Sequence, residues 1–479
     1  MRLQLRRAVL AVGTALAWSV APAAADDDTD VEPPVEVPSD TATDERAAGP
    51  VEAPIDEAGD EPTDGARDES IEGASDEPIE DPGARPEDAV PDPQLDDPAE
   101  EPREADDADA PPDDEGHAGH WLLSFDVLGS TDTDNVEVVT PQLTVRRTLD
   151  TDGSELRARV GVDVVSAASV DVVSQATAGF LESREEATLG GTYGFPGVTL
   201  ALDYRFSIEP DYISNGVHAG MTAELLSPDT VLAIGYGATY DLIGLAGTSM
   251  DVWQRNLWNH RAEISLTQTF GPQTLLRAIY TLTVQDGFLE KAYRYVPLFT
   301  AADLRRAQAD GVTLGLSTFD AYRLPGRVPE NIPDLRVGHA VGLRWVQFID
   351  PIDSALRIDA QLYVDAWSVV AFMSEPTLSI EVGPNVVLAP FGRFYIQSGA
   401  SFWQRVYEVS SEEAVPTWRT LNRELSPYFT ATGGARFEWR QAPWMIYVEG
   451  SVAYTAWSEF LFLNEKTNLI VLAGVRWTL

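Results

Sequence analysis

Asp163, Asp171, Glu209, Asp211, Asp241, Asp286 and Asp365 recur near the ends of successive alternating segments, on one parity wherever parity can be read. Carboxylate oxygens are the hard ligands that calcium takes. A ring of them predicts either a divalent cation site, Ca2+ above all, or an opening whose negative potential favours cations. Glu209, Asp211 and Asp365 carry that reading furthest, with Tyr212, Trp367, Arg393 and Gln397 as neighbouring supports. Arginines supply the opposing reading. Arg157, Arg205, Arg277, Arg336, Arg357 and Arg393 share the parity of the acids, and with Asp163 and Asp203 they make a candidate charge network that braces an interior and leaves little net field.

Catalysis finds no foothold. The chain has five histidines and no cysteine. A hydrolase nucleophile needs a histidine held by an acid or amide, yet His117 and His120 precede the patterned region, His339 has apolar parity, and His218 and His260 stand alone near segment starts. No Gly-x-Ser-x-Gly elbow, zinc motif, phosphate loop or EF-hand spacing occurs. No enzyme activity is expected, no catalytic residue is assigned, and no cofactor is expected beyond a divalent cation.

The elements that must hold these side chains are strands. From Trp121 to Leu479 about sixteen segments of about 8 to 14 residues place apolar residues at every second position. The gaps between them alternate in length. Long gaps at 129–134, 166–185, 209–215, 241–259, 285–334, 368–376 and 403–424 interleave with short ones: LDTDGS at 149, FPG at 195, SPDT at 227, GP at 271, DPIDS at 350, GPN at 383 and RQAP at 440. Tight turns on one rim and longer loops on the other predict an all-β, antiparallel transmembrane barrel of sixteen strands, with both chain ends on the turn side, in the periplasm. Within 285–334, AADLRRAQAD reads as a short helix and the candidate constriction or plug.

Parity sorts lipid from lumen. Val198, Leu200, Leu202, Tyr204, Phe206 and Ile208 share one face, while Thr199, Asp203, Arg205, Ser207 and Glu209 share the other. The segments starting at 336, 355 and 429 repeat the contrast, and the last segment ends the chain on Leu469, Val471, Ala473, Val475, Trp477 and Leu479. Trp121, Tyr236, Trp345, Trp444 and Trp457 are the expected interfacial girdle.

Three regions precede or make up the fold. Residues 1–25 read as a signal peptide: Arg2, Arg6 and Arg7, an apolar stretch, then Ala23 and Ala25 before Asp26. Residues 26–118 read as a disordered acidic, Pro-rich linker. Up to Gly116 it holds about 36 acids against four arginines and has no aromatic residue, too little apolar surface to offset the entropy of ordering. Its bland role is a solvated tether, and docking to a basic periplasmic protein through 26–116 is the functional alternative. Residues 119–479 are the barrel, whose own net charge of about −15 excludes nucleic acid as a partner.

Several stretches resemble the bacterial outer-membrane family catalogued as domain of unknown function 3570. They include FSIEPDYISNGVHAGMTAELLSPDTVLAIGYGATYDLIG, QDGFLEKAYRYVPL, VPENIPDLRVGHAVGLRW and LSPYFTATGGARFEW. Its most specific marks are S-x-E-x-D-Y-x-S (Ser207, Glu209, Asp211, Tyr212, Ser214), Y-x-D-x-W (Tyr363, Asp365, Trp367) and R-x-Y-x-Q (Arg393, Tyr395, Gln397). The resemblance implies a barrel in the outer membrane of a Gram-negative bacterium, in contact with its lipid. Two functions follow as expectations: a porin-like or substrate-specific channel for small solutes or ions, or a non-conducting accessory barrel that docks a periplasmic partner or a surface ligand. The resemblance also implies that members are often encoded beside periplasmic thioredoxin-like and flavin-attaching proteins, which keeps a role in envelope redox assembly open for the second.

Overall fold

The structure, a computed structural model, describes residues 119–167, 180–245, 248–326, 328–411 and 413–479. The signal-peptide and linker assignments, His117 and Asp171 lie outside the described residues. Nine consecutive strands open the barrel: β1 (Trp121–Asp132), β2 (Val136–Thr148), β3 (Glu155–Ala167), β4 (Phe180–Phe195), β5 (Val198–Glu209), β6 (Tyr212–Leu225), β7 (Ser227–Ile243), β8 (Arg255–Phe270) and β9 (Thr274–Gly287). After a long excursion the wall resumes with β13 (Leu335–Ile349), β14 (Ser354–Asp365), β15 (Val370–Gly383) and β16 (Val386–Gln397). A second excursion precedes β18 (Tyr428–Gln441), β19 (Trp444–Trp457) and β20 (Glu465–Thr478). These sixteen strands form one closed barrel in sequence order. Antiparallel pairing of β1 with β20, from Leu122 opposite Thr478 to Asp132 opposite Asn468, closes the seam and leaves the barrel wall without a sheet edge.

Alternation along each strand does what parity predicts. Leu189, Leu202 and Val341 stand 66%, 60% and 59% exposed on the outer face, where a soluble protein would not leave such a continuous apolar wall. Their neighbours in sequence face inward and are charged or small. Strands of 12 to 17 residues exceed the 9 to 11 or so that a tilted strand needs to cross a bilayer. Among the described residues no helix is long and apolar enough to cross a membrane.

One rim consists of tight turns. Pro196 presets the backbone for a two-residue turn between β4 and β5, and Gly197 follows with φ 74°, a conformation that glycine adopts without strain. The opposite rim holds the longer connections, but three of the expected long gaps are not loops. Residues 129–134, 209–215 and 368–376 mostly belong to strands, and the connections there shrink to 133–135, 210–211 and 366–369. Charged lumen residues had made strand ends look like loop.

Two excursions on the loop rim carry structure of their own. The first, 288–334, contains β10 (Tyr295–Val296), β11 (Leu298–Thr300), α1 (Ala301–Ala309) and β12 (Val328–Pro329); the second, 398–427, contains β17 (Tyr407–Val409). Parallel pairing of β11 with β17 and a bridge between Asn331 and Arg419 join them. The expected helix exists, with a Thr300–Asp303 capping box, but only Ala307 of it is buried. Packing at the mouth comes instead from the segments around it.

Candidate functional site

The mouth on the loop rim is a hydrophobic core built partly from the barrel wall. Lumen-facing Trp367, Ala371, Tyr395, Tyr428 and Trp457 pack with Leu289, Ile332, Trp403 and Leu425 from the two excursions. A second cluster, around Val296, Leu298, Tyr407 and Leu421, holds the excursions to each other. Together they form a dome. Burial there pushes the Tyr407 hydroxyl up to about 12, and partial burial raises the Glu290 carboxyl above its ordinary value.

Polar pins fix the dome to distant points of the rim. Tyr293 of the first excursion donates a hydrogen bond to Asp211 in the β5–β6 turn at 2.8 Å. Arg423 of the second meets Asp134 in the β1–β2 turn at 2.8 Å. Gln397, at the end of β16, accepts from Tyr395 at 2.7 Å and donates to the carbonyls of Glu424 and Ser426 at 2.6 and 2.8 Å. Trp367 donates through its indole to the Leu335 carbonyl at 3.0 Å and lies under the Arg336 guanidinium.

The three acids expected to act together do not meet. Glu209 ends β5 and Asp211 lies in the β5–β6 turn, whereas Asp365 ends β14, six strands from β5 around the wall, about 29 Å of arc at the usual strand spacing of about 4.8 Å. Asp365 is committed locally: it binds Arg336 at 2.8 Å and accepts the backbone N–H groups of Trp367 and Val369 at 2.9 and 2.8 Å. The described geometry does not bring Glu209, Asp211 and Asp365, expected to share a divalent ion, into one site. Among the described residues no group of three or more His, Asp or Glu side chains is arranged to hold a metal ion. Tyr212 instead joins Ser214, Thr239 and Asn259 around Asp241.

Bracing pairs line the lumen wall. Arg157 holds Asp203 at 2.9 Å, Arg184 holds Asp163 at 2.9 Å and reaches Glu209 at 3.7 Å, and Arg205 holds Glu186 at 2.5 Å. Across the barrel a relay runs from Arg344 through Asp359, Arg357 and Glu375 to Arg393, with contacts of 2.6, 3.2, 3.5 and 2.9 Å. Arg277 meets Glu263 at 3.5 Å. Neighbouring glycine makes room for one such pair: a Cβ on Gly190 would come within 1.6 Å of the Asp203 carboxylate.

Sequence reasoning missed Arg184 and Glu375 because it placed 166–185 and 368–376 in loops, and it left Glu186, the first residue beyond the former gap, unassigned. Inward parity, extended a few residues further, finds all three. It also misplaced two residues. Asp286 pairs with Trp258 on the outward parity, and Trp457, expected in the girdle, is 6% exposed inside the mouth cluster. Trp121 and Trp444 do stand outside at the turn rim, where Trp444 stacks on Trp477 with ring centroids 4.9 Å apart and Arg147 covers Trp121 at 5.0 Å.

Closed, apolar outside and charged within, the molecule has the fold of an outer-membrane β-barrel protein. Residues 176–442 match the family described as "Protein of unknown function (DUF3570)", and the chain belongs to that family. The comparison with curated proteins returns no match. Among solved structures the chain is similar to a bacterial polysaccharide outer membrane secretin, at 8% identity and TM-score 0.41 over 74% of this chain and 98% of that one. It is also similar to CdiB from Acinetobacter baumannii, at 8% identity and TM-score 0.40 over 74% of this chain, spanning 60% of CdiB's length. A third is OmpT of Vibrio cholerae, at 8% identity and TM-score 0.35 over 76% and 100% of the two chains.

Proposed function

We propose that the protein is a solute-specific channel of the outer membrane rather than a wide general pore, with the turn rim and both chain ends toward the periplasm and the dome outermost. The dome carries this reading, because two excursions with a shared buried core, pinned to the β1–β2 and β5–β6 turns, narrow the mouth of a barrel whose wall is polar and charged. Sixteen strands enclose enough room for water where side chains and loops do not fill it. Entry then depends on what the dome admits.

Planar-bilayer recording on the purified barrel tests this. The expected result is small unitary conductance that rises several-fold when Tyr293→Phe and Arg423→Gln are combined to release both pins. A non-conducting accessory barrel is the second reading, favoured by the same dome. Silence in both the native protein and the released variant, with folding intact, selects that reading and sinks the channel.

A further inference from the structure

The ion pairs inside the barrel are not presented evenly to the water they face. Arg205 is 43% exposed where its partner Glu186 is 17%, and Arg261 is 52% exposed against 13% for Glu263. Arg393 and Arg357 are likewise more exposed than the Glu375 they share. Only Arg277 and Arg344, among the lumen arginines in described ion pairs, are more buried than their carboxylates. The acids lie against the wall and the guanidinium heads stand over them.

Stoichiometry at mid-height reinforces the asymmetry. Glu186 is shared by Arg159 at 3.2 Å and Arg205 at 2.5 Å. Glu263 is shared by Arg261 at 3.6 Å and Arg277 at 3.5 Å. The relay on β13 to β16 sets Arg344, Arg357 and Arg393 against Asp359 and Glu375. Each of these carboxylates is thus met by two guanidinium groups. Nearer the loop rim the balance reverses, where Arg184 meets both Asp163 and Glu209. A guanidinium presents a planar fork of donors that suits carboxylate and phosphate oxygens. Against a low-dielectric wall its charge acts with little screening.

We propose that the mid-lumen arginines, with Arg159, Arg205, Arg261 and Arg393 foremost, form a belt that binds small oxyanions, carboxylates or phosphates, on their way through the barrel. The proposal rests on the channel reading and reverses the sign of selectivity that the rim acids alone would set. Anions are drawn to the belt, and cations are repelled there.

The test is the reversal potential of the purified barrel in a planar bilayer under a potassium chloride gradient, with inorganic phosphate then added as a blocker. Expected are a chloride-over-potassium permeability ratio above one and a phosphate block at millimolar concentration. Both should be lost in Arg159→Gln, Arg205→Gln, Arg393→Gln, with heat-modifiable migration as the control for folding. Should the triple variant fail to fold, Arg205→Gln alone is expected to halve the permeability ratio at least. Cation preference, or phosphate block that survives substitution, overturns the belt and leaves the channel standing. If no current flows, calorimetric titration of the folded barrel with phosphate decides: binding abolished by the substitutions supports the belt while the channel falls, and no binding overturns the belt as well.

Discussion

Individual side chains here are fixed by what stands opposite them across a strand pair. Gly190 sits beside Asp203 in the β4–β5 register, and a methyl group there would overlap the carboxylate that Arg157 holds. Overpacking of this kind costs about 1 to 3 kcal/mol. Gly190→Ala is therefore expected to lower the temperature at which the folded barrel loses its heat-modifiable migration, while an alanine at Gly433, which has nothing within 4 Å, leaves it unchanged. A second residue-scale expectation concerns α1. Its Thr300–Asp303 box holds the Asp303 carboxyl below its usual value, chiefly through the Thr300 hydroxyl. A depressed folded value stabilises the cap above the unfolded carboxylate range, and that stability is lost as pH falls through the lowered value. Protection of the amides of 301–309, corrected for intrinsic exchange, should fall on acidification in the native protein. Thr300→Ala should cost about 1 kcal/mol and remove that pH dependence; an unchanged profile would show that the box does not hold the helix.

Strands were legible because the membrane imposes period-two alternation so strictly. Val198 to Ile208 and Leu356 to Val364 could be assigned to lipid from sequence alone, and the exposed outer face bears them out. What misled was chemistry at strand ends. FLESREE and FMSEP look like loop because they are polar, yet inward positions of a barrel are where polarity belongs, so Arg184 and Glu375 went unread. The dome was illegible for a different reason. Its core joins residues as distant as Leu289 and Trp457, and no local period encodes such contacts. The candidate site suffered from the same limit: a shared parity placed Glu209, Asp211 and Asp365 on one face, but strand order set them apart. Parity itself can be tested at neighbouring positions. Leu202→Arg, on the lipid face, should cost about 2 to 4 kcal/mol if it lies near the midplane and depress refolding into vesicles. Ala201→Arg, one residue away on the inner face, should refold with native yield, and equal yields for the two would refute the assignment of faces.

For the whole molecule, the closing pair of β1 with β20 is what makes the barrel a single cooperative object. Trp121 exchanges backbone hydrogen bonds with Leu479 at 2.9 and 2.8 Å, so the first and last barrel residues lie together at the turn rim. Gly119 stands at that rim too, its backbone N–H donating to the Thr148 carbonyl at 2.9 Å. The preceding segment, 26–116, carries about 32 of the 44 net negative charges, and a segment so charged and so poor in apolar residues has little to contribute to a packed wall. Removing 26–116 should leave membrane insertion and heat-modifiable migration at native values, because the strand pairings of the described residues already close the barrel, and the mouth cluster and the pins to Asp134 and Asp211 lie beyond it. Loss of a periplasmic partner in a cross-linking experiment, with the barrel itself unaltered, is the outcome expected if the segment docks one. A truncated chain that no longer inserts would instead make the segment part of assembly and overturn its reading as a tether.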